Sequence, residues 1–391
     1  MKAVINLLFG LTFLVSLFCT KAFAHSASTS SVFIDTHKPQ IELEIYLPLD
    51  QLRLADESLF PSQSDDLKQV NFSALQDYMQ THVSITTQNS QSLTAQKVDD
   101  FAIHEFDNVL FMVMKMQFIK PDNFDNSGFS LHYNAILHRV VTHKIYVSYR
   151  NDMHEVLKAS QNIATIGLIR YQRETLFIEP EKITAWSQFK LMFVNGMSHI
   201  AAGIDHLLFL LCLILPAPLV SANKRWQSVA PVRQCVMSVA KIVTFFTLGH
   251  SLTLALTTLG YISFPAKPIE ILVAASILVS ALNAIRPIFS QSAMWIAFIF
   301  GLIHGQAFAI EMSHMGFDTQ AIMVALVAFN LGIETVQLLI VICVVPVLAM
   351  LARTYFYSAI RITLSVLAMA AASYWIIEEV CNEYLVSQLS R

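Results

Sequence analysis

Imidazole and carboxylate side chains interrupt apolar sequence throughout the second half of this chain. His199, Asp205 and His206 lie in Asn195-Gly196-Met197-Ser198-His199-Ile200-Ala201-Ala202-Gly203-Ile204-Asp205-His206-Leu207-Leu208. His250 follows in Phe246-Thr247-Leu248-Gly249-His250-Ser251, His304 in Phe300-Gly301-Leu302-Ile303-His304-Gly305, and Glu334 in Phe329-Asn330-Leu331-Gly332-Ile333-Glu334. Ionisable groups are costly in hydrocarbon, so inside a membrane span they mark a functional site by default. His199 and His206 are seven residues apart and share a helix face; Asp205 sits about 100° round from His206. Imidazoles with a carboxylate suit zinc, nickel or iron. Ligating histidines also need acceptors behind them, which Asp205, Glu334 or Asn330 could supply.

Supporting groups fall at helical spacing. Asn330, Glu334 and Gln337 stand at i, i+4 and i+7 and face one way. Thr244, Thr247 and Ser251 make a hydroxyl stripe beside His250. Gly301 and Gly305 form a GxxxG spacing around His304, which favours close helix packing. The plain alternative for any one of these polar groups is an inter-helix hydrogen bond. His314 is expected in an exposed loop.

The elements that must carry these residues are membrane helices. The chain has 391 residues, is 55% hydrophobic and 14% charged, and carries a net charge of −3, which offers nothing for nucleic-acid binding. Its mean hydropathy is +0.54. Residues 198–219, 236–259, 269–286, 293–311, 320–349 and 357–378 are long and apolar enough for six spans, the fifth tilted or broken near Pro346. Residues 1–24 have the form of a secretory signal: Lys2, an apolar core, then Ala22-Phe23-Ala24. Cleavage there leaves His25 at the N-terminus, either a frayed end or, with its free amine, a chelator for Cu(II). Residues 25–197 are then extracytoplasmic, and the positive-inside rule agrees. Lys224, Arg225, Arg233, Arg286, Arg353 and Arg361 all fall in inner loops, and the C-terminal tail, 381–391, lies outside with the first domain. The expected location is the inner (plasma) membrane. With that topology His206, His250 and His304 lie about 10–13 Å below the outer surface and Glu334 about 20 Å below it.

Residues 25–180 are more polar. Ile41–Leu47 alternates with period 2, and Val109–Ile119, Phe129–Ile136 and Lys144–Tyr149 are β-branched and aromatic. Ser73–Thr81 predicts a short helix with a serine cap. The pattern predicts a β-rich domain, a β-sandwich. It carries His25, His37, His82, His104, His132, His138, His143 and His154 but no cysteine, so no disulfide staples it. Apart from His138 and His143 these histidines show no ligand spacing, and solvated surface positions are expected for them. Residues 181–197, with Trp186 and Phe189, are expected to form an interfacial connector into a membrane domain over 198–380.

The four polar blocks, taken in order with Phe308-Ala309 and Gln337, resemble the HupE/UreJ family over residues 196–340. The exported front half is similar to the long form of that family in architecture. The resemblance implies a metal permease or diffusion facilitator associated with nickel supply, with His199, Asp205, His206, His250, His304 and Glu334 as its transferred candidates. Its partners would be the bilayer, the metal ion and extracytoplasmic proteins that meet the front domain. A second reading is an intramembrane zinc hydrolase, in which three histidines and an aspartate hold the metal with Ser251 beside His250. A third is a membrane-anchored assembly or sensing protein. A transporter needs exchangeable metal and a path inward; a hydrolase needs tight metal and a lateral opening.

Overall fold

The computed structural model describes residues 29–36, 40–61, 67–106, 109–121, 128–150, 163–180, 183–223, 225–262, 264–289, 292–313 and 319–389. The signal segment, His25, His37, His154 and His314 lie outside the described residues.

The front domain is two sheets around one core. Its strands are β1 (Ser30–Asp35), β2 (Gln40–Pro48), β3 (Val83–Thr87), β4 (Ser92–Leu93), β5 (Lys97–Phe106), β6 (Val109–Ile119), β7 (Phe129–Tyr133), β8 (Lys144–Arg150), β9 (Ile163–Arg170) and β10 (Thr175–Ile178). One sheet has the order β5-β6-β2-β1-β8-β9, the other β10-β7-β3-β4. β1 pairs with β8 in parallel, so the larger sheet is mixed. In β2, Ile41, Leu43, Ile45 and Leu47 are buried and alternate with half-buried neighbours, as a period-2 apolar face requires. They meet Met112 and Met114 of β6, and Ile85 and Leu131 of the second sheet. Two helices, α1 (Leu49–Ala55) and α2 (Phe72–His82), add Leu52, Leu75 and Met79 to the same core. α2 is capped by Asn71, whose Oδ1 accepts from the Ala74 amide at 3.2 Å. The expected serine cap, Ser73, already lies in the first turn. The extended backbone at Asn71 is what lets its short side chain reach that orphan amide.

The rest is helical: α3 (Ala185–Ala202), α4 (Ile204–Ile214), α5 (Val232–Thr258), α6 (Ala266–Ile285), α7 (Ala293–Ser313), α8 (Thr319–Leu351) and α9 (Tyr357–Leu389), with a two-stranded ribbon, β11 (Leu219–Ala222) and β12 (Arg225–Val229), between α4 and α5. Among the described residues four helices are long and apolar enough to cross a membrane, five if α3 and α4 count as one bent span; the described apolar part of α7 is the shorter Ala293–Ala307. Among the described residues the six spans expected are not confirmed. The first element also differs in kind. α3 begins at Ala185, behind a capping box of Thr184 and Ser187, so residues expected in an interfacial connector are the first half of a bent pair. α3 and α4 meet at 70° at Gly203. α8 runs through Pro346 without a break.

A repeated motif sets the helix crossings. Phe193-x-x-Gly196, Phe246-x-x-Gly249, Phe298-x-x-Gly301 and Phe329-x-x-Gly332 lie on α3, α5, α7 and α8. A Cβ on Gly196 would stand 2.0 Å from the carbonyl oxygen of Phe329, and one on Gly332 2.1 Å from that of Phe193. The same reciprocal contact joins Gly249 to Phe298 at 2.2 Å and Gly301 to Phe246 at 2.1 Å. α3 therefore crosses α8, and α5 crosses α7, at a distance only glycine permits. Phe246 and His250 meet Gly301 and Gly305 in that order, so α5 and α7 run the same way. α6 and α9 run oppositely, with Ile277, Ala281 and Ala284 clustering in turn with Ala372, Ala368 and Leu364. At one end of the bundle, Tyr146 of β8 and Leu168 of β9 pack against Ile200, Leu254 and Phe329.

Candidate metal centre

The bend between α3 and α4 brings two imidazoles of one span together. His199 lies in the last turn of α3, and Gly203 returns its amide to the His199 carbonyl at 2.8 Å. A Cβ at Gly203 would stand 3.0 Å from Nδ1 of His206 and 3.1 Å from Oδ1 of Asp205, so the corner is tight as well as bent. The rings of His199 and His206 are 4.8 Å apart edge to face. α7 supplies His304, 5.0 Å from His206, and α5 supplies His250, 6.0 Å from His206 and 6.2 Å from His199. Four imidazoles thus share one site, walled by Phe209 and Phe246.

The hydrogen bonds decide which nitrogens carry lone pairs. Asp205 Oδ1, a carboxylate oxygen, accepts from Nδ1 of His206 at 3.1 Å, so in the neutral imidazole Nε2 of His206 bears the lone pair. Ser276 of α6 donates to the Val273 carbonyl at 2.7 Å, so its oxygen is left to accept from Nε2 of His304 at 2.9 Å. Nδ1 of His304 is then the lone pair. Nε2 of His206, Nδ1 of His304 and both nitrogens of His250 are buried with no hydrogen-bond partner. Buried polar atoms ordinarily find partners, and several orphans in one place call for an unseen ion or water. One ligand atom from each of Asp205, His206 and His304 lies within 4.8 Å of the others.

The other candidates are placed as follows. Glu334 stands apart from the imidazoles: its Oε1 accepts from Thr244 at 2.6 Å, while Oε2 is buried without a partner. Gln337 accepts from Thr247 at 3.0 Å. Asn330 donates to the Leu326 carbonyl at 2.8 Å. Ser251 donates to the Thr247 carbonyl at 2.7 Å, its own helix four residues back. Gly301 and Gly305 press on the backbone of Phe246 and His250, which seats His304 beside α5. Two groups were not foreseen. Ser276 fixes the tautomer of His304, and its only signal was a hydroxyl at i, i+4 with Ser280 in an apolar span. Gln306, two residues after His304, is buried and accepts from Thr257 at 2.5 Å.

A family model described as HupE / UreJ protein matches residues 172–379, more than half of the chain. The chain belongs to the HupE/UreJ family. The match begins in the turn between β9 and β10 and ends in α9, so it takes in every residue of the imidazole site of this HupE/UreJ protein. No curated protein matches the chain.

Proposed function

We propose that this HupE/UreJ protein passes a divalent transition-metal cation, nickel before zinc, across the inner membrane, with the cation as cargo. The observation that carries the reading is the set of lone pairs on His206, His304 and His250, buried and unpartnered within one site. Asp205 holds the tautomer of His206 and adds negative charge for a cation to replace water. His199 extends the site toward the end of the bundle where the β-rich domain packs. Glu334, with a buried, unpartnered oxygen on α8 and a hydrogen bond from Thr244 of α5, offers a further acceptor beyond the imidazoles.

The helix pairing supports transport over hydrolysis. Exchanging the bent pair, α5 and α6 with α7, α8 and α9 maps the α3–α8 crossing onto the α7–α5 crossing and leaves α6–α9 unchanged. The exchange also matches Phe193-x-x-Gly196-x-x-His199 with Phe298-x-x-Gly301-x-x-His304. Leu254 clusters with Leu326 while Val243 clusters with Val341, so the matched helices α5 and α8 run in opposite directions, as α6 and α9 do. Two inverted halves around a buried site suit a carrier that rocks one half against the other. The hydroxyl a hydrolase would use, that of Ser251, is bound to its own helix.

The test is uptake of Ni²⁺ into proteoliposomes, with membrane insertion checked separately. His206→Ala, His250→Ala and His304→Ala each abolish uptake while the protein still inserts. Wild-type uptake in two of the three overturns the site. Tight, stoichiometric metal that does not exchange, with no uptake by the unaltered protein, overturns transport.

A further inference from the structure

The β-rich domain holds a second pair of histidines that the transport reading does not use. His82 is the last residue of α2, and His138 lies in the turn that follows β7. They are 56 residues apart in sequence, yet their rings stack with centroids 4.5 Å apart and planes within 14°. Tyr78, one turn back on α2, lies 4.4 Å from His82 and 5.9 Å from His138.

One residue orients both rings. Oδ1 of Asn134 accepts from Nδ1 of His82 at 2.6 Å, and the Asn134 backbone carbonyl accepts from Nδ1 of His138 at 3.3 Å. Both acceptors are oxygens, so in the neutral form each histidine carries its proton on Nδ1 and its lone pair on Nε2. The rings are nearly parallel and both Nδ1 atoms turn toward Asn134, which leaves both Nε2 atoms out of these hydrogen bonds. Asn134 is itself pinned: its amide donates to the His82 carbonyl at 3.0 Å. The turn is held by Tyr78, whose hydroxyl accepts from the Ile136 amide at 2.9 Å, where Ile136 has φ +66°. A non-glycine residue in that region costs free energy unless its surroundings enforce it. What the enforcement achieves here is a fixed position for His138.

We propose that His82 and His138 form a two-imidazole binding site on the β-rich domain for a divalent transition-metal cation that favours nitrogen ligands, of the nickel or copper class. Hydrogen-bonded Nδ1–H groups behind free Nε2 atoms are the usual support of histidine ligands. The hard cations magnesium and calcium prefer oxygen and are excluded by the donor set. Metal–nitrogen bonds of about 2.0–2.1 Å lie in the plane of each imidazole, so the stacked rings must swing out of parallel for both lone pairs to reach one cation. His138 is exposed, on a surface turn, and can supply that movement. The remaining coordination positions face water, which suits a site that takes up and releases its cation. The site stands on its own geometry and does not depend on the transport reading.

The experiment is equilibrium dialysis of the full-length protein in detergent against Ni²⁺ at neutral pH. The variants are His138→Asn, which alters an exposed side chain, and His206→Ala/His250→Ala, which alters the membrane site. The expected result is one equivalent lost in His138→Asn and retained in the membrane-site variant. Cu²⁺ electron paramagnetic resonance on the membrane-site variant gives a second readout. It should show coupling to two imidazole nitrogens, reduced when His138→Asn is added. The same number of Ni²⁺ equivalents in the unaltered protein and in His138→Asn overturns the proposal, whatever becomes of the membrane site.

Discussion

Adding one methyl group at Gly301 should open the candidate metal centre. The new Cβ would lie 2.1 Å from the Phe246 carbonyl oxygen, where ordinary contact begins at 3.4 Å. The shortfall is about 1.3 Å. The obstructing atoms are backbone, so no rotamer change relieves the overlap and the helices α5 and α7 must part. Overpacking of this kind costs about 1–3 kcal/mol. The larger effect is on geometry. His304 and His250 ride on the two helices that separate, and metal–ligand distances tolerate only about 0.2 Å of error. Gly301→Ala is expected to lower the melting temperature and to weaken Ni²⁺ binding by at least about tenfold, the lower end of what disturbing a ligand's support costs. Gly332→Ala, at the matching crossing of α3 with α8, has the same 2.1 Å overlap, with Phe193, and should act in the same direction. The assay is fluorescence-detected unfolding of the purified protein over a Ni²⁺ titration. A Gly301→Ala protein that melts where the unaltered one does and binds Ni²⁺ equally well would refute the reasoning, because it would mean the crossing does not set the ring positions.

Ser276→Ala removes the acceptor of His304 Nε2–H and leaves a buried donor unsatisfied, or moves the proton onto the nitrogen that faces the site; Ni²⁺ affinity should fall by about 10–100-fold, and an unchanged isotherm would remove Ser276 from the account. In the β-rich domain burial raises the Glu44 carboxyl, but hydrogen bonds from Arg150 and Tyr46 at 2.7 Å and the Arg150 charge outweigh it, holding it below its ordinary 4.5. A carboxylate depressed in the folded state adds stability above its unfolded pKa and loses it as pH falls through the native value. Arg150→Met should therefore flatten the loss of thermal stability below about pH 4.5, and an acid limb as steep as the unaltered protein's would count against the pair.

Much of this protein is local, and local features can be read from sequence alone. Ile41, Leu43, Ile45 and Leu47 declare a half-buried strand because side chains alternate across a sheet whatever lies on the other side. Likewise, a histidine or glutamate amid leucines declares a polar site inside a span, because hydrocarbon offers such groups no other home. Periodicity gives direction round a helix, not the neighbour that lies there. So Glu334 could be expected in the bundle, but that Thr244 would hold it apart from the imidazoles depended on how α5 crosses α8. The same limit hid Ser276 behind His304 and His82 against His138, pairs joined only when distant elements pack. His143, which with His138 had the only suggestive spacing in that domain, is fully buried beside Ser30 instead of solvated, since β1 and β8 pair in parallel there. Residue type and spacing determined which chemistry this chain could hold. Only the glycine-set crossings and the bend at Gly203 decided which lone pairs meet, because backbone approach is a property of two helices at once.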